Sequence, residues 1–345
     1  MKAIILKGQD VRGNGTAELT EMAVPSVGPG ELLVEMQACG LCGTDVEKLR
    51  GHYTAAMPVL GHEAVGTVVS VGEGVAGLKN GDRVFPHHHV PCRDCFYCKR
   101  GSETMCDRYR TSNIDPGGFS EYFRVPRWNV DGGGVLRLPP GVGFEDASMI
   151  EPVACCMRAL ARCAVGPDDS VLVAGAGPVG MMHALLLKQM RSKVIVSDVS
   201  EPRLKFAEKA GVGTVVNAAK EDVTSVVKEQ TGGRGADMAV VASGNPRAVI
   251  QGLRAVRKGG RVCVFGAVVK GSVLDYDFSD LFNSEISVIT NYGATETETT
   301  KALDLIARKE IDFGSLITHR FHLSDFDEAV ARSEVGDAMK VLVIP

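Results

Sequence analysis

The sequence has no apolar run that approaches the roughly 18 residues a membrane-spanning helix needs, so it offers no membrane anchor. It has no excess of basic residues either. Lys and Arg number 38 against 42 Asp and Glu, a net charge of −4 that leaves no electrostatic footprint for nucleic acid. Low-complexity tracts and internal repeats are missing. The opening MKAIILKGQD has too short an apolar stretch for the core of a signal peptide. Without a secretory signal, the 10 cysteines point to a reducing, cytoplasmic setting, where thiolates more often serve metals than disulfides. What remains is the composition of an ordinary globular chain, 45% hydrophobic and 23% charged over 345 residues, which is enough for two domains with separate cores.

The first third reads as short β segments punctuated by glycine: KAIILK, ELLVEMQA, AVGTVVSVG and GDRVF. This texture suggests a partly open barrel. From about Asp168 strands alternate with helices. SVLVAGA, KVIVSD, TVVNA, ADMAVVAS and GRVCVFG are buried strands, and the helix over SEPRLKFAEKA closes at Gly211. Such alternation implies a parallel, doubly wound sheet, hence an α/β fold. The tail after about Asn291 has helical pieces and a last strand, KVLVIP, without a phosphate-binding pattern. It is assigned back to the first domain. The expected division is 1–151 with 291–345, and 152–290.

Cys92, Cys95, Cys98 and Cys106 can place four thiolates at the corners of a tetrahedron, a closed structural zinc site in a lobe of about 87–110. A redox pair is the alternative for any single C-x2-C. In the second domain Gly175-Ala-Gly177-Pro178-Val179-Gly180 follows a strand and opens a helix, the geometry that brings backbone N–H groups to a pyrophosphate. Asp198 ends the next strand at the distance of a ribose ligand, favouring NAD over NADP. A helix-capping acid is its plain reading. Arg203 flanks the adenine or ribose, or is a solvated helix residue. Gly244, Gly266 and Asn291 are candidates for the nicotinamide side on position alone. Cys42, His62, Glu63 and Glu151 are donors for a second, open metal site. Each taken singly reads as core or surface.

Together GHEAVGTVVSVGEGV, the following GDRV, the cysteine quartet and GAGPVG resemble the zinc-containing medium-chain alcohol and polyol dehydrogenases across essentially the whole chain. Glu151-Pro152 is similar to the sorbitol and threonine dehydrogenase branch, where simple alcohol dehydrogenases commonly carry cysteine. The resemblance implies a GroES-like catalytic domain, a Rossmann domain and an active-site cleft between them. It also implies two Zn²⁺ per chain, NAD, and a homodimer or homotetramer formed through the edge of the Rossmann sheet. Cys42, His62 and Glu151 match the catalytic-zinc positions, and Glu63 matches the acid beside the metal. Cys155 and Cys156 sit just past the matching position. The expected reaction is hydride transfer between NAD and a secondary alcohol of a polyol, sugar or hydroxy acid, the partner being a small polar alcohol or ketone. The alternatives are a primary alcohol dehydrogenase or aldehyde reductase, or a relative that has lost catalysis. Thr44 is expected to accept the first proton, and Asp45 to orient His62 or only to cap the helix DVEKLR. Relatives carry a proton-relay histidine where this chain has Glu47, so Glu47, His52 or water must take that role. The tract His87-His88-His89 reads as a strand end whose side chains alternate in direction. Family register puts His88 in the substrate pocket, where an imidazole favours a polar substrate. Lys340 either reaches the cofactor or is solvated.

Overall fold

The computed structural model describes residues 1–9, 15–53, 57–266, 268 and 271–345. The chain divides into two compact units, Met1–Ala154 with Gly293–Pro345, and Cys155–Tyr292. The boundary at Ala154 falls inside the helix Ile150–Arg162. No helix among the described residues is long and apolar enough to cross a membrane.

The first unit is built on a seven-stranded sheet. Its path runs Ile317–His322, Lys340–Ile344, Leu32–Gly40, Glu63–Val71, Arg83–Pro86 and Val135–Arg137, with Tyr122–Val125 paired off that path to Leu32–Gly40. Leu32–Gly40 alternates as far as Ala38, with Leu32, Val34 and Met36 fully buried. They pack with Val68, Val84, Phe119, Phe123 and Val343 into one core. Four strands missing from the sequence reading are Gly15–Glu21, Tyr122–Val125, Val135–Arg137 and Ile317–His322. They are mixed or half-buried, so they lack the apolar runs that marked the others. The C-terminal strand joins the sheet antiparallel to Leu32–Gly40, with Leu342 opposite Gly40.

The second unit is a six-stranded parallel sheet in the order Thr214–Asn217, Lys193–Asp198, Ser170–Ala174, Ala236–Val241, Val256–Val264, Ser287–Thr290. The chain starts at the centre and winds out first one way, then the other. Its topological switch point therefore lies between Ser170–Ala174 and Ala236–Val241, at the carboxyl ends where such sheets bind ligands. The edge strand Ser287–Thr290 is largely exposed, which is why its apolar signal was too weak to read.

Candidate metal and active site

Strand ends in the first unit converge on one set of side chains. Register places Gly40 opposite Glu63, and the Leu41 N–H donates to the Val341 carbonyl. Chain segments around residues 42, 62 and 340 therefore meet although sequence separates them widely. Cys42, His62 and Glu63 bring a sulfur, a nitrogen and a carboxylate oxygen within 4.8 Å of one another. Gly40 is required here. A Cβ on it would sit 1.8 Å from Glu63 Oε2 and 2.8 Å from Lys340 Cε.

Asp45 is fully buried. It accepts from the Cys42 N–H (3.1 Å) and the Gly61 N–H (3.4 Å), and its Oδ1 lies 3.3 Å from His62 Nδ1. It thus closes the first turn of the helix Gly43–Leu49, whose N-cap is Cys42, and also orients the imidazole. A carboxylate on Nδ1 leaves Nε2 as the metal-facing nitrogen. Thr44 Oγ1 donates to Cys42 Sγ at 3.3 Å. Glu63 is fully buried and forms an ion pair with Lys340, whose Nζ also donates to the Leu41 carbonyl at 3.1 Å. Lys340 is not solvated but is a buried partner of this site. Glu47 and His52, the alternatives for one role, are partners of each other, with His52 Nδ1 2.5 Å from Glu47 Oε2 at a partly exposed position.

Burial opposes charge at His62, yet Asp45 and Cys42 outweigh it and hold the imidazole well above its ordinary pKa. Burial likewise opposes ionisation of Asp45, and His62 prevails, keeping it below the usual carboxylate range. At Glu63 burial wins: its carboxyl is raised although Lys340 and His62 pull it down. A dication among these donors would reverse the sense at His62 and Glu63, since both must be deprotonated to bind it. The donor set fits zinc. Sulfur, nitrogen and oxygen leave a fourth position open, and Glu63 Oε1 is buried without a hydrogen bond among the described residues.

Glu151 lies with His87 and His88, their donor atoms within 4.8 Å of one another. The alternation expected of the histidine tract does not hold, because the strand ends at Pro86. The backbone beyond it no longer alternates side chains. Asn129 Nδ2 donates to the carbonyls of both His87 (2.9 Å) and His88 (2.8 Å) and fixes this segment. The His88 ring centroid is 5.0 Å from that of His62. His89 turns aside and donates from Nδ1 to the Ser112 carbonyl at 2.7 Å. Burial lowers its pKa to about 3, and that of His88 well below the ordinary value. Sequence missed Asn129 and Glu296, and it named Lys340, the lysine opening the apolar strand KVLVI, without its pairing to Glu63.

Cys92, Cys95, Cys98 and Cys106 form a third cluster within the same 4.8 Å limit, and all are free thiols. The Cys95 N–H points at Cys92 Sγ (3.3 Å) and the Cys92 N–H at Cys106 Sγ (3.4 Å). Backbone N–H groups of Asp94 and Cys95 lower the Cys92 pKa to about 6. Cys155 and Cys156 belong to no metal-capable cluster among the described residues.

In the second unit Gly175 has φ +110°, and a Cβ on Gly180 would lie 1.8 Å from the Gly175 carbonyl oxygen. Turn and helix approach that closely only with hydrogen at position 180. Gly177 caps the helix Pro178–Gln189, with Pro178 in its first turn, and Val179 accepts a weak contact from Cys156 Sγ at 4.0 Å. Asp198 Oδ2 accepts from the Ala176 N–H (2.6 Å) and Oδ1 from the Ser200 N–H (2.8 Å), so this acid bridges the glycine turn to the next helix. Arg203 Nη1 lies 3.7 Å from where a Gly177 Cβ would be, and its buried Nε has no hydrogen bond among the described residues. A Cβ on Gly266 would meet the Ser243 backbone at 2.4 Å, which packs the two turns at Gly244 and Gly266 against each other. Asn291 accepts from Arg158 (2.8 Å) and donates to the Cys155 carbonyl (3.3 Å).

A sheet with a donor cluster at its strand ends, a thiolate lobe, and a glycine turn at a doubly wound switch point define a zinc-type dehydrogenase architecture. Residues 28–132 match the alcohol dehydrogenase GroES-like domain and residues 178–308 match the zinc-binding dehydrogenase family. The chain belongs to this family and is an oxidoreductase with a GroES-like and a Rossmann part. It is similar to a sorbitol dehydrogenase of Halalkalibacterium halodurans, at 32% identity covering 100% of this chain and 99% of the relative. An erythritol/L-threitol dehydrogenase of Mycolicibacterium smegmatis is 31% identical over 100% and 98%. Among solved structures, a protein from Sinorhizobium meliloti described as a zinc-binding dehydrogenase and bound to NADP superposes with a TM-score of 0.88. It is 27% identical, covering 100% of this chain and 99% of that one.

Proposed function

We propose that this chain oxidises a secondary alcohol of a small polyol, sugar or hydroxy acid, with zinc at Cys42, His62 and Glu63 and with NAD as hydride acceptor. The convergence of those three donors beside the imidazole of His88 carries this reading. When bound, zinc supplies Lewis acidity toward the substrate oxygen and the nicotinamide takes the hydride. The chain's own residues do the rest. Asp45 holds His62 by Nδ1. Thr44 Oγ1, now donating to Cys42 Sγ, is placed to accept the substrate proton, because a hydroxyl can accept while it donates. Glu47, three residues further along the helix, and its partner His52 beyond the helix end are partly exposed and offer the proton its way to solvent. His88 supplies a polar neighbour for a second substrate hydroxyl. A relative that had lost catalysis would have no need of a sulfur, nitrogen and oxygen set held together in this way.

Asp198 supports NAD: its carboxylate, fixed by two backbone N–H groups, opposes the phosphate that distinguishes NADP. The test is initial-rate assay over polyols, sugars, threonine and n-alcohols with each cofactor. Polyols with NAD are expected to exceed both n-alcohols and NADP by about tenfold or more in kcat/KM, the size of one 1.4 kcal/mol preference. Equal rates on n-alcohols, or a preference for NADP, would reject the reading.

A second copy of the chain is proposed to pair along the edge strand Ser287–Thr290. Beside this unpaired edge, Phe278 and Phe282 are about three-quarters exposed, and Val273 and Val288 are exposed as well. Apolar side chains flanking an open strand edge are a pairing surface. Phe282→Asp should weaken self-association in sedimentation equilibrium by roughly 30-fold or more, the scale of an interface hot spot. An unchanged oligomer, or a monomeric wild type, would remove the proposal.

A further inference from the structure

We infer that Cys163 and Cys263 form a redox-active pair, which a peroxide closes into a reversible disulfide inside the second unit. Neither thiol belongs to a metal-capable cluster among the described residues, so the pair has no part in the donor sets described above. Cys163 directly follows the helix Ile150–Arg162, and Cys263 lies on the strand Val256–Val264. Both are free thiols and almost fully buried. A side-chain hydrogen bond joins them. Arg261, two residues before Cys263 and so on the same face of the strand, donates from Nη1 to the carbonyls of Cys163 (2.6 Å) and Ala164 (2.8 Å). Its Nη2 reaches Asp169 Oδ2 at 3.1 Å. One guanidinium thus holds the helix end against the strand, and the two thiols meet across that contact.

The two sulfurs are not equivalent. The hydrogen bond from Cys263, with Arg261 and Arg162 nearby, keeps Cys163 below the ordinary thiol pKa although burial opposes it. The same bond, together with burial, pushes Cys263 up. Cys163 is therefore the nucleophile and Cys263 the resolving thiol. Access comes from the helix end. Arg162 and Ala164, on either side of Cys163, are exposed, and Ala164 closes the helix at φ +49°, a left-handed position where glycine is the unstrained residue. Such ends open locally while the rest stays folded, and hydrogen peroxide is little larger than water. The Cys163 thiolate displaces hydroxide from the peroxide O–O bond and becomes a sulfenic acid; the hydroxide takes up the proton that the thiol released. The Cys263 thiol then attacks that sulfur and expels water. Two thiols lose two electrons and two protons, and one peroxide becomes two waters. A low-molecular-weight thiol reverses the bond by exchange. The closed loop holds the glycine turn and the strands Ser170–Ala174, Lys193–Asp198, Thr214–Asn217 and Ala236–Val241, so oxidation staples the core of the second unit.

The protein as purified, with its metal retained, is treated with hydrogen peroxide, its remaining thiols are alkylated in denaturant, and its peptides are mapped without reduction. The expected result is a Cys163–Cys263 cross-link that dithiothreitol removes, with Tm raised by about 5 °C, the scale of a disulfide that spans a long loop. Cys263→Ser leaves the sulfenic acid without its partner: the cross-link and the rise in Tm are lost, and dimedone labels Cys163 instead. Free Cys163 and Cys263 after oxidation overturn the inference, as does a bond from either to Cys156, which also acts on Cys263. An equal rise in Tm in Cys263→Ser overturns it too. If that variant does not fold, the peptide map of the wild type decides the matter alone.

Discussion

Replacing Cys42 by serine is expected to lower kcat/KM on the preferred polyol by about 10³-fold or more, while the quartet cysteines keep their ion. The sulfur is the only soft donor of its cluster. A serine hydroxyl is a neutral and poor ligand at neutral pH, so the site loses charge as well as a bond. Lewis-acid stabilisation of developing negative charge is worth several kcal/mol, and each 1.36 kcal/mol is a factor of ten in rate. Fold should survive, because the side chain is only half-buried and the N-cap bond from the Cys42 N–H to Asp45 belongs to the backbone. Metal analysis and circular dichroism alongside the kinetics check both halves. A variant that retains most of its turnover would show that the reaction does not use this cluster.

Cys98→Ser should melt the lobe around the quartet without unfolding either unit. The segment between residues 92 and 111 has no strand, only two short 3₁₀ turns and one five-residue helix. Its own apolar cluster consists of little more than Cys98, Cys106 and Tyr109. So small a core cannot hold itself, whereas binding a structural zinc contributes apparent free energies of about 10–16 kcal/mol in small zinc domains. Losing one of four thiolates, at about 3 kcal/mol, should raise the rate of proteolytic cleavage within the lobe roughly 100-fold, read as cleavage from a transiently open state. Indifference of the cleavage rate to Cys98→Ser would show that packing, not metal, holds the segment. Melting would also free Arg93 from Glu296, so activity should fall through the surroundings of His87 with Cys42 untouched.

Legibility in the sequence followed locality. The quartet and the glycine turn were readable because each function is carried by a few consecutive residues with a fixed geometry. Asp198 was readable because one strand and one helix set its distance from that turn. Cys42, His62 and Glu63 could be named as donors, but their meeting depends on strand register across Gly40 and Glu63, which no local pattern encodes. Glu151 stands with His87 and His88, a grouping hidden by the assumption of strand alternation beyond Pro86. Glu296 opens a helix, where an acid has an ordinary capping reason to be. Its place behind His87, 4.0 Å from Nδ1, is a product of tertiary packing alone.

Lys340 gives the site an order in time. The strand it opens is the last in the chain, and it carries the cation that pairs with Glu63. During synthesis Cys42, His62 and Glu63 emerge long before Lys340, and the buried acid among them waits for its partner. A ribosome-bound chain can therefore present soft and hard donors to any passing ion, but it cannot set the charge of that pocket. The final electrostatic state of these donors is therefore reached only as the strand Lys340–Ile344 docks and completes the first unit's sheet.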